Sequence, residues 1–178
     1  MKKQLNVFEC TNTICNAMQK GILVTTKHAD KVNSMTIGWG MIGIEWGLPI
    51  FIALIRESRF TREMLDKSGE FTVNIPWGDF DSKILGYCGT KSGRDSDKIK
   101  DLNLETIEGT HISAPALRQL PLTLECKVLY QQKQDLSAIP EDILKRYYPQ
   151  DVDGSAPGKN RDCHIAYYAK IVDCYLVE

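Results

Sequence analysis

The 178-residue chain lacks a charge imbalance: 22 Lys and Arg stand against 23 Asp and Glu, for a formal net charge of -1. No global basic field exists to hold a nucleic acid or an anionic membrane surface, and neither is expected as a partner. No stretch approaches the roughly 20 apolar residues that a membrane span requires. The two lysines of the opening MKKQLNVFEC have no apolar run behind them. A secretory signal needs such a run, so a cytoplasmic location is the expectation. Six cysteines, at positions 10, 15, 88, 126, 163 and 174, form no C-x-x-C pair, so a zinc or thioredoxin-type site lacks its usual spacing. They read as reduced thiols in the core or on the surface; Cys88, beside Gly89 and a polar loop, is the one to watch. A Ser-His-Asp order, H-E-x-x-H, a P-loop and a metal-ligand cluster are missing too. A chain with so little reactive chemistry of its own points to a bound cofactor that the protein positions.

What is there suits one folded domain spanning 1–178: 43% hydrophobic and 25% charged residues at this length supply a sizeable core. Gly21–Thr26 reads as a strand, and Val32–Ile44 as a second, interrupted by glycines. Ile50–Ile55 is almost wholly apolar, as in a strand buried on both faces. Thr61 suits a helix N-cap, with Gly69 closing that helix. Phe71–Pro76 is the next strand. Asp79 or Asp81 starts a second helix, with Phe80, Ile84, Leu85 and Cys88 on one side and Gly89 at its end. Leu122–Gln131 alternates as a half-buried strand, Pro140 opens a short helix to about Tyr148, Asp151–Asp162 reads as an exposed loop, and His164–Val177 is a long closing strand. Tight turns between successive strands predict a mainly β, antiparallel barrel of six or seven strands with three short peripheral helices.

Gly38-x-Gly40-x-x-Gly43 matches a dinucleotide fingerprint on paper. That motif must open a helix, whereas Gly47, Pro49 and a strand-like segment follow here; glycines that relieve a crowded strand are the better reading. More telling is Arg56-Glu57-Ser58-Arg59-Phe60-Thr61, where an apolar strand runs into a helix start. Free N–H groups of a first helical turn attract phosphate; Ser58 and Thr61 add hydroxyls, and Arg59 can bind bidentately. The plain alternative is a capped helix with solvated arginines. Asn33-Ser34-Met35-Thr36 offers polar groups to the edge of a heterocycle, with Trp39 to pack on it; a polar turn and a core Trp would look the same. His164 has a useful pKa range but a lone His is more often structural. The loop Thr90–Lys100 carries Lys91, Arg94, Lys98 and Lys100 against Asp95 and Asp97, a local basic excess in a neutral chain.

At N-S-M-T-I-G-W-G (33–40), P-I-F-I-A-L-I-R-E-S-R-F-T (49–61), G-E-F-T-V-N-I-P (69–76), S-G-R-D-S-D-K (92–98) and H-I-A-Y-Y-A-K-I-V-D (164–173), the sequence resembles the flavin reductase-like family, nearest its flavoredoxin subgroup. The resemblance implies an FMN-binding split barrel, an oxidoreductase that passes electrons or hydride through bound flavin, and a homodimer with FMN near the subunit interface. It implies that Asn33, Ser34, Met35, Thr36 and Trp39 border the isoalloxazine and ribityl parts. Arg56, Ser58, Arg59 and Thr61 would hold the phosphate, with Phe60 among the cofactor-binding residues. Lys91, Ser92 and Arg94 would line the entrance, and His164 would stand near the reducing partner, NADH or NADPH among the candidates. His164 and Lys91 are the residues placed to assist catalysis, and no metal is implied. A non-enzymatic FMN electron carrier serving protein partners is the alternative, and a split barrel holding haem or no cofactor is a third.

Overall fold

The computed structural model describes residues 1–153 and 160–178; the expected loop Asp151–Asp162 lies partly outside the described residues. In chain order the elements are β1 (Lys2–Gln4), α1 (Thr11–Lys20), β2 (Ile22–His28), β3 (Lys31–Ile37), β4 (Gly40–Glu45), β5 (Leu48–Arg56), α2 (Phe60–Ser68), β6 (Glu70–Ile75), α3 (Lys83–Thr90), α4 (Lys98–Asp101), β7 (Thr106–Ile107), β8 (Ala116–Leu117), β9 (Leu122–Lys133), α5 (Glu141–Tyr147) and β10 (His164–Val177). The main sheet runs β3-β2-β6-β9-β10-β5-β4, with β1 added to the end of β10 and every pairing antiparallel. β3 and β4 are its two free ends, so the sheet curls without closing, as a split barrel does.

Alternation builds the interior. Phe51, Ala53 and Ile55 on β5, Phe71, Val73 and Ile75 on β6, Leu122, Leu124 and Cys126 on β9, and Tyr167, Ala169 and Ile171 on β10 all point into one core. Register keeps them aligned: Phe71 faces Cys126, Val73 faces Leu124, and Phe51 faces Ala169. Ile14 and Met18 of α1 plug the same core. A second apolar cluster lies on the outside of β2, where Ile84, Leu85 and Cys88 of α3 pack with Leu23 and Leu117; the helical face read from sequence is the face that packs.

Several expectations change. The stretch Val32–Ile44 is two strands, broken at Gly38-Trp39, because the chain must cross from one sheet end to the other. Gly40 lies inside β4 with no room for a side chain: a Cβ would stand 2.9 Å from the Ile52 carbonyl oxygen. The glycines therefore serve strand packing. The N-cap of α2 is Arg59, and Thr61 lies inside the first turn. Ser82 precedes α3, while Asp81 Oδ1 accepts from the Lys83 N–H at 3.0 Å, and α3 runs one residue past Gly89, to Thr90. β9 is not half-buried: Leu122 to Cys126 are buried on both faces, because segment 110–117 covers its outer side.

That cover is fixed by Glu125, a fully buried carboxylate. Oε1 accepts from the Thr110 N–H at 2.6 Å and the Tyr175 hydroxyl at 2.9 Å, Oε2 accepts from the His111 N–H at 2.7 Å, and Lys2 Nζ stands 3.5 Å away. Burial alone would raise its pKa; the Thr110, His111 and Tyr175 donors and Lys2 outweigh it and hold the pKa below the ordinary value of 4.5. A carboxylate with a depressed folded-state pKa contributes stability above its unfolded pKa and loses it as pH falls. Glu125→Gln should therefore lower the unfolding free energy by about 3 kcal/mol at pH 7, since charge-assisted donors lose their partner. In urea titrations the gap to the native chain should narrow below about pH 4.5; a gap constant with pH would contradict this role.

Candidate functional site

The chain enters the site at the end of β5. Arg59 N–H donates to the Arg56 carbonyl at 3.1 Å, closing a tight turn that leads into α2. This turn aims the first-turn N–H groups of α2 outward; those of Phe60 and Thr61 meet no acceptor among the described residues. Two neighbours hold it. Asn33 of β3, buried, donates from Nδ2 to Thr61 Oγ1 at 2.7 Å. The loop 91–94 crosses over both: a Cβ on Gly93 would lie 2.1 Å from Asn33 Oδ1 and 2.8 Å from the Phe60 ring, so only glycine permits the approach.

Between these parts lies a cavity of about 130 Å³, lined by Asn33, Met35, Thr36, Ser58, Arg59, Phe60, Thr61, Lys91, Ser92, Gly93 and Arg94, with Cys88 and Lys98 at its floor. Among the described residues, four cations line it and no carboxylate does. Arg94 is partly spent: it pairs with Glu63, donates to the Ser58 carbonyl at 3.2 Å and lies over the Phe60 ring. Arg59 donates to Asn160 Oδ1 at 3.2 Å, a neutral partner, and pairs with no carboxylate among the described residues. Lys31 Nζ also lies over the Phe60 ring, 4.7 Å from its centre.

A second cavity, about 180 Å³, adjoins the first and shares Met35, Thr36 and Arg59 with it. Ile37, Gly38, Trp39, Leu54, Arg56 and His164 complete its wall. The Trp39 ring lies 4.8 Å from His164 and 5.1 Å from Tyr147, centre to centre. His164 is neutral at physiological pH: burial and the neighbouring Arg56 pull its pKa down to about 4. Its Nδ1 is 2.8 Å from the Tyr148 hydroxyl, whose single proton goes to Gln134 Oε1 at 2.8 Å. The Tyr148 oxygen therefore accepts from Nδ1–H, and Nε2 is left as the acceptor of the ring.

The sequence-derived set thus divides. Asn33, Met35, Thr36, Ser58, Arg59, Phe60, Thr61, Lys91, Ser92 and Arg94 meet in the cationic cavity. Trp39 and His164 stand in the aromatic one, and so does Arg56, which is not part of the cationic pocket. Arg56 donates to the carbonyls of Asp162 at 2.5 Å and Tyr147 at 2.8 Å and anchors the chain beside α5. Ser34 faces neither cavity; its hydroxyl sits 2.9 Å from that of Thr25, within a buried polar row that continues to Asn74. Cys88 is buried with its thiol pushed up by desolvation, so it is no ready thiolate. Tyr147, Tyr148 and Lys98 were not singled out as site residues. The tyrosines come from a helix far along the chain with no local motif, and Lys98 read as one more solvated charge of a basic loop.

Comparison with known proteins agrees with this fold. The chain matches the model of the flavin reductase like domain over residues 18–178. An uncharacterized protein of Archaeoglobus fulgidus is 28% identical over 100 residues, 56% of this chain and 55% of that protein. The protein YddH of Escherichia coli is 27% identical over 111 residues, 61% of this chain and 58% of that protein. The chain thus spans little more than half the length of these relatives. Among solved structures, the flavoredoxin of Desulfovibrio vulgaris (Miyazaki F) superposes with a TM-score of 0.64 at 22% identity, covering 89% of this chain and 69% of that one. An FMN-binding domain of a flavin reductases-like enzyme from Shewanella baltica gives 0.67 at 16% identity, covering 99% and 77%. At such identities the likeness is one of fold. The family model, which runs through nearly the whole chain, shows more: the protein belongs to the flavin reductase-like domain family.

Proposed function

We propose that this protein is an FMN-dependent oxidoreductase in which the cationic cavity takes the phosphate of the flavin and the adjoining aromatic cavity borders its ring system. Family membership supports flavin-linked redox chemistry. The observation that carries the finer reading is the first cavity's composition: four cations, no carboxylate, and free N–H groups at the start of α2. A phosphate dianion supplies the charge and the acceptors that such a pocket lacks.

The group fits the residues around it. Arg59 and the hydroxyls of Ser58, Thr61 and Ser92 would hold the phosphate. Met35 would pack on the ring, and the Thr36 hydroxyl, whose proton goes to the Leu85 carbonyl at 2.6 Å, offers only lone pairs to a ligand N–H. Flavin, when bound, supplies the hydride and electron transfer chemistry. The chain's own part is to orient it, keep water from one face and hold neutral His164 with Nε2 open to a proton or a donor. Lys91 is the other residue placed to assist. NADH or NADPH is the donor to test first. The second reading, a flavin-carrying electron carrier, draws on one observation: among the described residues, neither cavity wall carries a carboxylate to act as a general acid or base.

The protein is further proposed to act as a homodimer. Met41, Ile52, Tyr168 and Tyr130 lie in register across β4, β5, β10 and β9, and Met41, Ile44 and Trp46 are half or more exposed. This apolar band borders a free sheet edge and needs a cover; a second copy of the chain is the occupant that the resemblance implies.

Arg59→Ala should purify with less flavin and bind FMN about tenfold more weakly, the expected loss of one charge-assisted contact; unchanged retention contradicts the phosphate role. Steady-state NADH and NADPH oxidation with added free FMN separates the two readings: turnover supports the reductase, and a bound flavin that neither donor reduces supports the carrier. The ring protons of His164 should show no titration between pH 5.5 and 8, because its pKa stands at about 4; a midpoint near 6.5 would mean a solvated imidazole. Sedimentation should give a mass twice 20.1 kDa, and Met41→Glu should halve it.

A further inference from the structure

Gln134, just past β9, is tied to His164 twice. Its backbone N–H donates to the His164 carbonyl at 3.0 Å. Its Oε1 accepts from the Tyr148 hydroxyl at 2.8 Å, and that hydroxyl oxygen stands 2.8 Å from His164 Nδ1. Tyr148 and His164 are buried and Gln134 is half-buried. α5 has no buried residue of its own. The tyrosine that follows it holds its end to the body, with Arg56 on the Tyr147 carbonyl at 2.8 Å.

Such a chain has two self-consistent proton orders. In one, Nδ1–H donates to Tyr148 and Tyr148 donates to the oxygen of Gln134, so Nε2 keeps a lone pair. In the other, an N–H of Gln134 donates to Tyr148 and Tyr148 donates to Nδ1, so Nε2 carries the proton. The end group decides, and here Gln134 turns its oxygen to the hydroxyl. The aromatic cavity agrees with that order. Arg56 and Arg59 line it beside His164, and their positive field favours a lone pair over an N–H at Nε2.

Nε2 meets no partner among the described residues. Thr36, on the same wall, has also committed its proton, to the Leu85 carbonyl at 2.6 Å. Two acceptors therefore face one cavity. A neutral N–H group matches them, while a cationic amine would meet the two arginines.

We infer that Gln134 is a positioning residue: acting through Tyr148, it fixes His164 as an acceptor at Nε2, so that the aromatic cavity selects a ligand bringing an N–H to that atom. The inference rests on the flavin reading above. The imide N–H of the flavin ring and the carboxamide of a nicotinamide donor share this chemistry.

The test begins with the chain freed of flavin and labelled with 15N-histidine, whose two-bond correlations show which ring nitrogen bears the proton. In the native chain His164 should carry it on Nδ1. Gln134→Leu removes the end acceptor and should move the proton to Nε2; Gln134→Glu, which only accepts, should return it to Nδ1. A native proton on Nε2, or one that stays on Nδ1 in Gln134→Leu, overturns the inference. Binding is then read with FMN by fluorescence, and with NADH and NADPH at saturating FMN. An FMN affinity about tenfold weaker in Gln134→Leu, restored in Gln134→Glu, assigns the N–H to the flavin. Unchanged FMN affinity, with KM for the donor raised about tenfold and kcat little altered, assigns it to the donor. A displaced proton with neither loss overturns the selection while leaving the flavin reading intact. A native chain that binds no FMN sinks that reading and the selection together. Should Gln134→Leu fail to fold, the native chain decides: its His164 Nε2 signal should move on adding FMN, or NADH after FMN, and a signal indifferent to both overturns the role.

Discussion

The hydrogen bond from Asn33 to Thr61 ties together everything the site requires. It joins a free sheet end to the first turn of α2, and it does so out of water, where an amide donor without its acceptor would be costly. Gly93 then lays the basic loop directly on the amide. Three segments distant in sequence are thus stacked on one polar contact, and the cationic cavity is the space left between them. Among the described residues β3 has no strand on its other side, so this contact, with Lys98 beneath it, does the work that a neighbouring strand would do elsewhere.

The split in the barrel has a related purpose. β3 and β4 end the sheet on either side of Gly38-Trp39, and both cavities open along that break. A closed barrel would cover Met35 and Thr36, which with Arg59 are common to both cavities. The two cavities differ in chemistry as they differ in parentage. One is walled by a helix start and a basic loop, the other by Trp39, His164 and the anchored guanidinium of Arg56. An elongated ligand with a charged end and a flat aromatic end matches that order.

Much of the fold could be read from the sequence, because period-two alternation in β6, β9 and β10 and the helical face of α3 are local signals. The failures were not local. α1 carries only Ile14 and Met18 as inward residues, among Thr and Asn that favour caps and turns, so its pattern falls below recognition. Glu125 falls with Thr123 and Lys127 on the polar side of an alternating strand; what buries it is a loop fifteen residues earlier. Most of the site residues were visible since they cluster at 33–36 and 58–61. Arg56 looked like its neighbour Arg59, and only the fold reveals that the two guanidinium groups diverge, one to backbone carbonyls and one to the cavity. Lys98 was hidden because charge in a polar loop reads as solvated until topology turns it inward.

The cysteines, unremarkable in spacing, acquire a meaning from where they lie. Cys88 lines the floor of the cavity, and Cys126, Cys163 and Cys174 are buried in or beside the sheet. Burial raises the pKa of each of these four thiols, and the thiolate is the form that attacks peroxide. A scaffold whose interior sulfur stays protonated can surround a redox-active guest without becoming a reductant itself.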